Sequence, residues 1–337
     1  DGCDVLSGSN SAWKVGTPTK QFEKGKTINS ISTFIGKDEL GSLADVTFYT
    51  NEGGNPLHKY KQYLFFDDGS KTSEIIQSEA DKNNFVIQKG HQIARYKLEF
   101  ETPAVSSIGI KDGYTDKNTL TGFGNQDLIL FDKSYTLVLA QRLAPNSVSL
   151  TLVSDQVGQV ITEGKTVTTL PVKGKEHKVT LTKVTTTEAT FKVNDELTSP
   201  LKFGEMYVLK DNLIIGVNGI SSSQPAASFF MGTGKLKLQD DNVADQKGDN
   251  NLRIGSEDID GTTVIIKGTD NNLKFSLQTI EVNMTAQSDY AVPVCGKLSD
   301  IIAAAGDEKE VLMAGLFDIV FKGMTGNIAE VYVTSQK

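Results

Sequence analysis

The sequence predicts an all-β protein built of antiparallel β-sandwich (Ig-like) domains with one or two short helices. Three observations predict it. Short segments alternate apolar and polar residues, turn dipeptides recur at strand-sized intervals, and helical periodicity is scarce. In chain order, the first helical candidate is short and covers 38–43. Val148, Leu150 and Leu152 then share one face of a strand, because side chains repeat every two residues along extended backbone. The stretch Lys178-Val-Thr-Leu-Thr-Lys-Val184 adds threonine and valine, which suit a pleated surface. Ala189, Phe191 and Val193 form a further inward face, and Leu273, Phe275 and Leu277 another. Turn signals separate these runs at Glu163-Gly164, Lys173-Gly174, Asn194-Asp195, Asp211-Asn212, Asn218-Gly219 and Asp270-Asn271. The better helical candidate is 299–305, with Ser299 as its N-cap.

The 337 residues suffice for two or three domains. A first boundary falls near Gly122-Phe-Gly-Asn-Gln-Asp127, and a second in the polar stretch 240–251. This gives an N-terminal β-rich region 1–126, a central β-sandwich 127–240 and a C-terminal β-rich region 241–337. A link between Cys3 and Cys295 would let the outer regions share one discontinuous domain.

Composition excludes several function classes. Hydrophobic residues are 38% and charged residues 23%, which is neither a disordered nor a membrane composition. No apolar run approaches the roughly 20 residues of a transmembrane helix. Any anchor to a cell would therefore lie in a membrane-anchored partner or in sequence beyond this chain. The net charge is −8, and only Arg95, Arg142 and Arg253 are arginines, so nucleic-acid binding is not expected. The opening Asp1-Gly2-Cys3 suits a mature exported protein whose signal has been removed; a trimmed chain would begin the same way.

The candidate sites are few. Cys3 and Cys295 either form a disulfide closing almost the whole chain or remain separate thiols. Their number and positions favour the bridge, which loop-closure theory values at roughly 5 kcal/mol and which requires an oxidising exterior. The stretch 240–251 reads first as a solvated linker. Its second reading is a calcium site, with Asp240, Asp241, Asp245 and Asp249 supplying oxygen ligands, although the spacing is not that of an EF-hand. Asn283-Met284-Thr285 is the only N-x-Ser/Thr sequon, and a glycan on Asn283 would keep that face solvated. His58, His91 and His177 are isolated, with no zinc, phosphate-loop or nucleophile-elbow motif beside them, so no enzyme is predicted. His177, between Glu176 and Lys178, is expected to face solvent.

Several phrases in order resemble the archaeal S-layer protein family. They are Lys133-Ser-Tyr-Thr-Leu-Val-Leu-Ala140, Ser149-Leu-Thr-Leu-Val153, Glu163-Gly-Lys-Thr166, Phe191-Lys-Val-Asn-Asp-Glu-Leu-Thr198, Gly204-Glu-Met-Tyr-Val-Leu-Lys-Asp211 and Lys235-Leu-Lys-Leu-Gln-Asp240. Ile93-Ala-Arg-Tyr-Lys-Leu-Glu-Phe100 and Val282-Asn-Met-Thr-Ala-Gln287 are similar too. Asp195 departs from the family pattern, standing where a turn glycine is usual. The resemblance implies an extracellular, cell-surface structural subunit that assembles with copies of itself into a layer or an S-layer-derived filament. The alternative is a surface adhesin or carbohydrate-binding module, for which Tyr60, Tyr63 and Tyr96 would be the residues to test. A secreted hydrolase is the third reading.

Overall fold

Two neighbouring strands pass through both major hydrophobic cores and organise the rest of the chain. The computed structural model describes residues 11–67, 74–77 (backbone only), 83–109 and 118–336. Within these, Ser147–Thr162 pairs antiparallel with Ala226–Asp240, from Val148↔Asp240 to Thr162↔Ala226. A strand of 16 residues spans roughly 50 Å at about 3.3 Å per residue. The register slips between Val153 and Val157, and this irregularity divides the ribbon into two halves. All the strand pairings are antiparallel, and the fold is all-β.

The larger body holds the half nearer Ser147. There the strand Lys133–Ala144 covers the outer side of the ribbon, with Leu137 opposite Leu152 and Ala140 opposite Leu150. The sheet continues through Thr119–Leu120 to the 18-residue strand Gln92–Gly109, then to Lys274–Thr285 and Thr262–Asp270. A smaller sheet of Ala12–Lys14, Ile328–Ser335, Phe317–Thr325 and Gly296–Lys297 packs into the same core. Phe131 bridges them, its ring 5.2 Å from Tyr96 and 5.7 Å from Phe317. Inside this core both polar atoms of Gln62 have partners: its amide oxygen accepts from Tyr96 Oη at 2.7 Å and from Phe131 N–H at 3.1 Å, and its Nε2 donates to Ala44 C=O at 2.9 Å. A satisfied buried polar group of this kind fixes which packing is native.

The smaller lobe is a two-sheet sandwich. One sheet runs Met206–Val208, Ile214–Ile220, the 226–232 half of the ribbon, and 157–162. The other contains Thr166–Thr168, Lys178–Val184 and Glu188–Val193, extended by Glu196–Leu197 and Leu201–Lys202. Ile161, Leu181, Phe191, Val217, Phe229 and Met231 fill the space between. Phe191 and Phe229 meet across it at 5.7 Å. A third small cluster of Val138, Leu139, Val153 and Phe230 lies where the lobes join.

The cores divide the chain at about residues 154 and 232. Residues 128–152 and 236–238, inside the expected central domain of 127–240, pack in the larger core together with residues from both outer regions. Among the described residues the helices are Ile28–Ile31 and Leu298–Ala304, with 3-10 turns at Gly41–Leu43, where the sequence predicts a helix over 38–43, and at Lys309–Val311. Ser299 is not the N-cap of the second helix. The cap position is Lys297, and the Ser299 N–H and hydroxyl both donate to the buried carboxylate of Asp318 on a neighbouring strand.

Candidate functional site

The acidic stretch begins inside the larger core. Along the ribbon Leu236, Leu238 and Asp240 share one parity and all three are buried. The Asp240 carboxylate accepts from Ile266 N–H at 2.8 Å and from Asn242 N–H at 2.9 Å, closing the end of the ribbon. Burial pushes this carboxyl above its ordinary value and outweighs those two donors. Asp241 faces the other way, accepting from the Ser147 hydroxyl, the Gln239 amide and the Asn250 amide. Asp249 accepts from Asp241 N–H at 3.2 Å, and Asp245 from Lys247 N–H at 2.9 Å. Asn250 Nδ2 thus links Asp241 and Asp249, while the Asp240 carboxylate is held by backbone donors, with the charges of Asp249 and Asp245 adding to its upward shift. Among the described residues, no three His, Cys, Asp or Glu side chains form a group that could hold a metal ion. The stretch is a hydrogen-bonded loop anchored by its own carboxylates.

Asn283 lies within the strand Lys274–Thr285, between Thr263 on one neighbour and Arg95 on the other. It is half-buried, and its Oδ1 accepts from Gln92 Nε2 at 2.7 Å. Cys295 is disulfide-bonded. Cys3, the other cysteine of the chain, lies outside the described residues.

The histidines are dispersed. His58 is buried edge-on to Phe100, and neither ring nitrogen has a hydrogen-bond partner. His177 is 3% exposed, against the expected solvent-facing position. It precedes the strand Lys178–Val184 in the same parity as buried Val179 and Leu181, so extended backbone turns it inward. Asn194 Oδ1 accepts from Lys178 N–H at 3.0 Å, which aims the Asn194 amide nitrogen at His177 Nδ1, 3.2 Å away. Tyr60 and Tyr96 are fully buried in the larger core, so they offer no stacking platform for a sugar.

The outer side of the ribbon in the smaller lobe is an open strand edge among the described residues. The covering strand Lys133–Ala144 stops pairing at Thr136↔Val153. Beyond that point, among the described residues, 157–162 have a ladder on one side only, to 226–231. Val160 is 58% exposed there, although it is apolar and β-branched. Thr166–Thr168 is the edge of the opposite sheet, and nearby Leu170 is 75% exposed. A groove of about 420 Å³ opens between the two edges, lined by Val157, Gly158, Gln159, Thr168 and Leu170, with Phe229 also contributing. Gly158 is required by close approach: a Cβ there would lie 2.5 Å from Phe229 O and 3.2 Å from Phe230 Cα. The alternation over 148–152 predicts a strand but not this edge, since its openness depends on where a distant strand ends.

No protein-family model, no curated protein and no solved structure matches the chain.

Proposed function

We propose that this chain is a structural subunit of an extracellular surface layer, or of an S-layer-derived filament, that assembles from copies of itself. The observation that carries the reading is the unpaired, uncharged strand edge at 156–162. Natural proteins blunt exposed edges with lysines, prolines or short strands, because free N–H and C=O groups recruit other strands. This edge has no charge and no proline, so it is suited to be covered by another chain. The ribbon that bears it is shared with the larger core, which keeps the edge at a set distance from that body.

Two further features support the reading. Cys295 is disulfide-bonded, a state that persists in oxidising compartments outside the cytosol. Among the described residues no helix is long and apolar enough to cross a membrane. The mechanism is geometric. Each contact is weak, but a subunit held by several neighbours leaves only when all contacts open together. Contacts that do not close into a ring give filaments, and contacts in two directions give sheets. Electron microscopy and light scattering of the native protein across concentration test this, and regular sheets or filaments are expected. A strictly monomeric species at high concentration in native salt ends the reading.

A further inference from the structure

We propose that the edge at 156–162 pairs antiparallel with the same edge of a second copy of this chain, about a two-fold axis through Val160. The inference rests on the self-assembly reading above and names the contact that assembly uses. It follows from the phase of the hydrogen bonds along the ribbon. Glu163 N–H donates to Pro225 C=O at 2.7 Å, and Thr162, Val160 and Gly158 stand opposite Ala226, Ser228 and Phe230. In an antiparallel ladder, bonded and non-bonded pairs alternate. Glu163, Ile161, Gln159 and Val157 therefore point their backbone groups at the 225–231 side. Gly158, Val160 and Thr162 point theirs to the open side, where only the Thr162 carbonyl has a backbone partner, accepting from Lys165 N–H at 3.0 Å.

Those three residues are spaced symmetrically about Val160. A two-fold rotation sets Val160 against Val160 of the second copy and Gly158 against Thr162, so the free N–H groups of Val160 and Thr162 meet the free carbonyls of Val160 and Gly158, while Gly158 N–H meets the Thr162 carbonyl that Lys165 N–H already shares. The pairing would form about four backbone hydrogen bonds between free groups. A two-fold axis also brings like residues close to like. A charged edge would repel its own copy, whereas 156–162 carries no charge on a chain whose net charge is −8. The long edge Thr262–Asp270 differs in this respect, since it contains Lys267 and Asp270, and the uncharged edges Thr166–Thr168 and Met206–Val208 are only three residues each. Pairing covers the exposed Val160 side chain against its counterpart, an apolar β-branched contact of the kind that stabilises neighbouring strands.

The test uses the full chain, with Val160→Pro and Val160→Lys. Proline removes an N–H that the fold itself does not use, and lysine sets two like charges at the axis. Sedimentation velocity is expected to show the association constant falling at least about tenfold in both variants. In the wild-type assembly, amide exchange at Gly158, Val160 and Thr162 is expected to slow relative to the dilute monomer. If Val160→Pro lowers the melting temperature, Val160→Lys decides, since its altered side chain lies at an exposed position. Wild-type assembly that both variants reproduce, with those amides still exchanging freely, overturns the edge contact and leaves self-assembly standing. A wild-type chain that never associates overturns both.

Discussion

Arg142 Nε donates to Asp270 Oδ2 at 2.6 Å, joining residues 128 positions apart with only 2% of the Asp270 side chain exposed. Asp270 also accepts from Asn146 N–H and Asn272 N–H, each at 2.9 Å, so one carboxylate ties the turn before the ribbon to the end of Thr262–Asp270. Burial alone would raise this carboxyl. The donors and the Arg142 charge outweigh it and hold the group below its ordinary value.

A folded-state pKa below the unfolded one stabilises the protein at pH values above the unfolded pKa, about 3.9 for Asp. That contribution disappears as pH falls through the folded value. Arg142→Ala is therefore expected to cost about 3 kcal/mol at neutral pH, because it leaves a buried carboxylate without its cation. It is also expected to flatten the acid side of the stability profile. Thermal melts of both proteins between about pH 6 and about pH 2 check this; equal neutral-pH stability would count against the pair.

Phe191 and Lys192 are neighbours with opposite fates. Phe191 is fully buried between the sheets of the smaller lobe, while the Lys192 side chain is 47% exposed. Phe191→Ala is expected to lose about 3–5 kcal/mol, and Lys192→Ala less than about 0.5 kcal/mol. Denaturant unfolding monitored by circular dichroism measures both, and similar small losses would show that this core is not the one described.

Gly232 lies where the ribbon changes register. A Cβ on it would sit 2.3 Å from Val153 Cγ1 and 2.7 Å from Ser154 O, and the backbone oxygen cannot step aside cheaply. Gly232→Ala is expected to destabilise by about 1–3 kcal/mol. Gly124→Ala, with nothing within 4 Å of its added carbon, serves as the control and is expected to change little. Calorimetric melts of the two variants provide the comparison.

Cys295 is disulfide-bonded, and Cys3 is the only other cysteine in the sequence. Non-reducing peptide mapping is expected to recover one cross-linked pair containing both residues from monomeric protein. A covalent dimer joined through Cys295 of two chains would contradict that assignment. Reduction is expected to lower the melting temperature, because the open chain regains the conformational freedom that a long loop had lost.

Much of the strand inventory was legible because apolar and polar residues alternate along the strands, even at 147–154 where both faces are buried. Leu150, Leu152, Phe191 and Val193 are all buried, in the faces that the two-residue period assigned them. The partition into lobes was not legible. Along Ser147–Thr162 the apolar parity shifts from Val148, Leu150 and Leu152 to Val157 and Ile161 across Ser154-Asp155-Gln156, which marks an irregularity but not that the two halves enter different cores. Parity was available but underused at two positions. His177 follows Val179 and Leu181 inward, and Asp240 follows Leu236 and Leu238. In both cases polar chemistry suggested solvent while geometry required the interior. The Asp318 carboxylate that receives Ser299 could not be found from helix signals, because it comes from a strand 19 residues away. The open edge was likewise a property of its missing neighbour rather than of its own sequence.

The ribbon crosses from lobe to lobe as two covalent chains, Ser147–Thr162 and Ala226–Asp240, running side by side in opposite directions. A pull that separates the lobes is borne along peptide bonds already close to full extension, and no hydrogen bond between the two strands has to break first. The joint is therefore nearly inextensible under tension. Bending is another matter, because the register slip near Ser154 interrupts the ladder and leaves a local kink that can flex. Such a part behaves as a leaf spring, stiff lengthwise and compliant sideways.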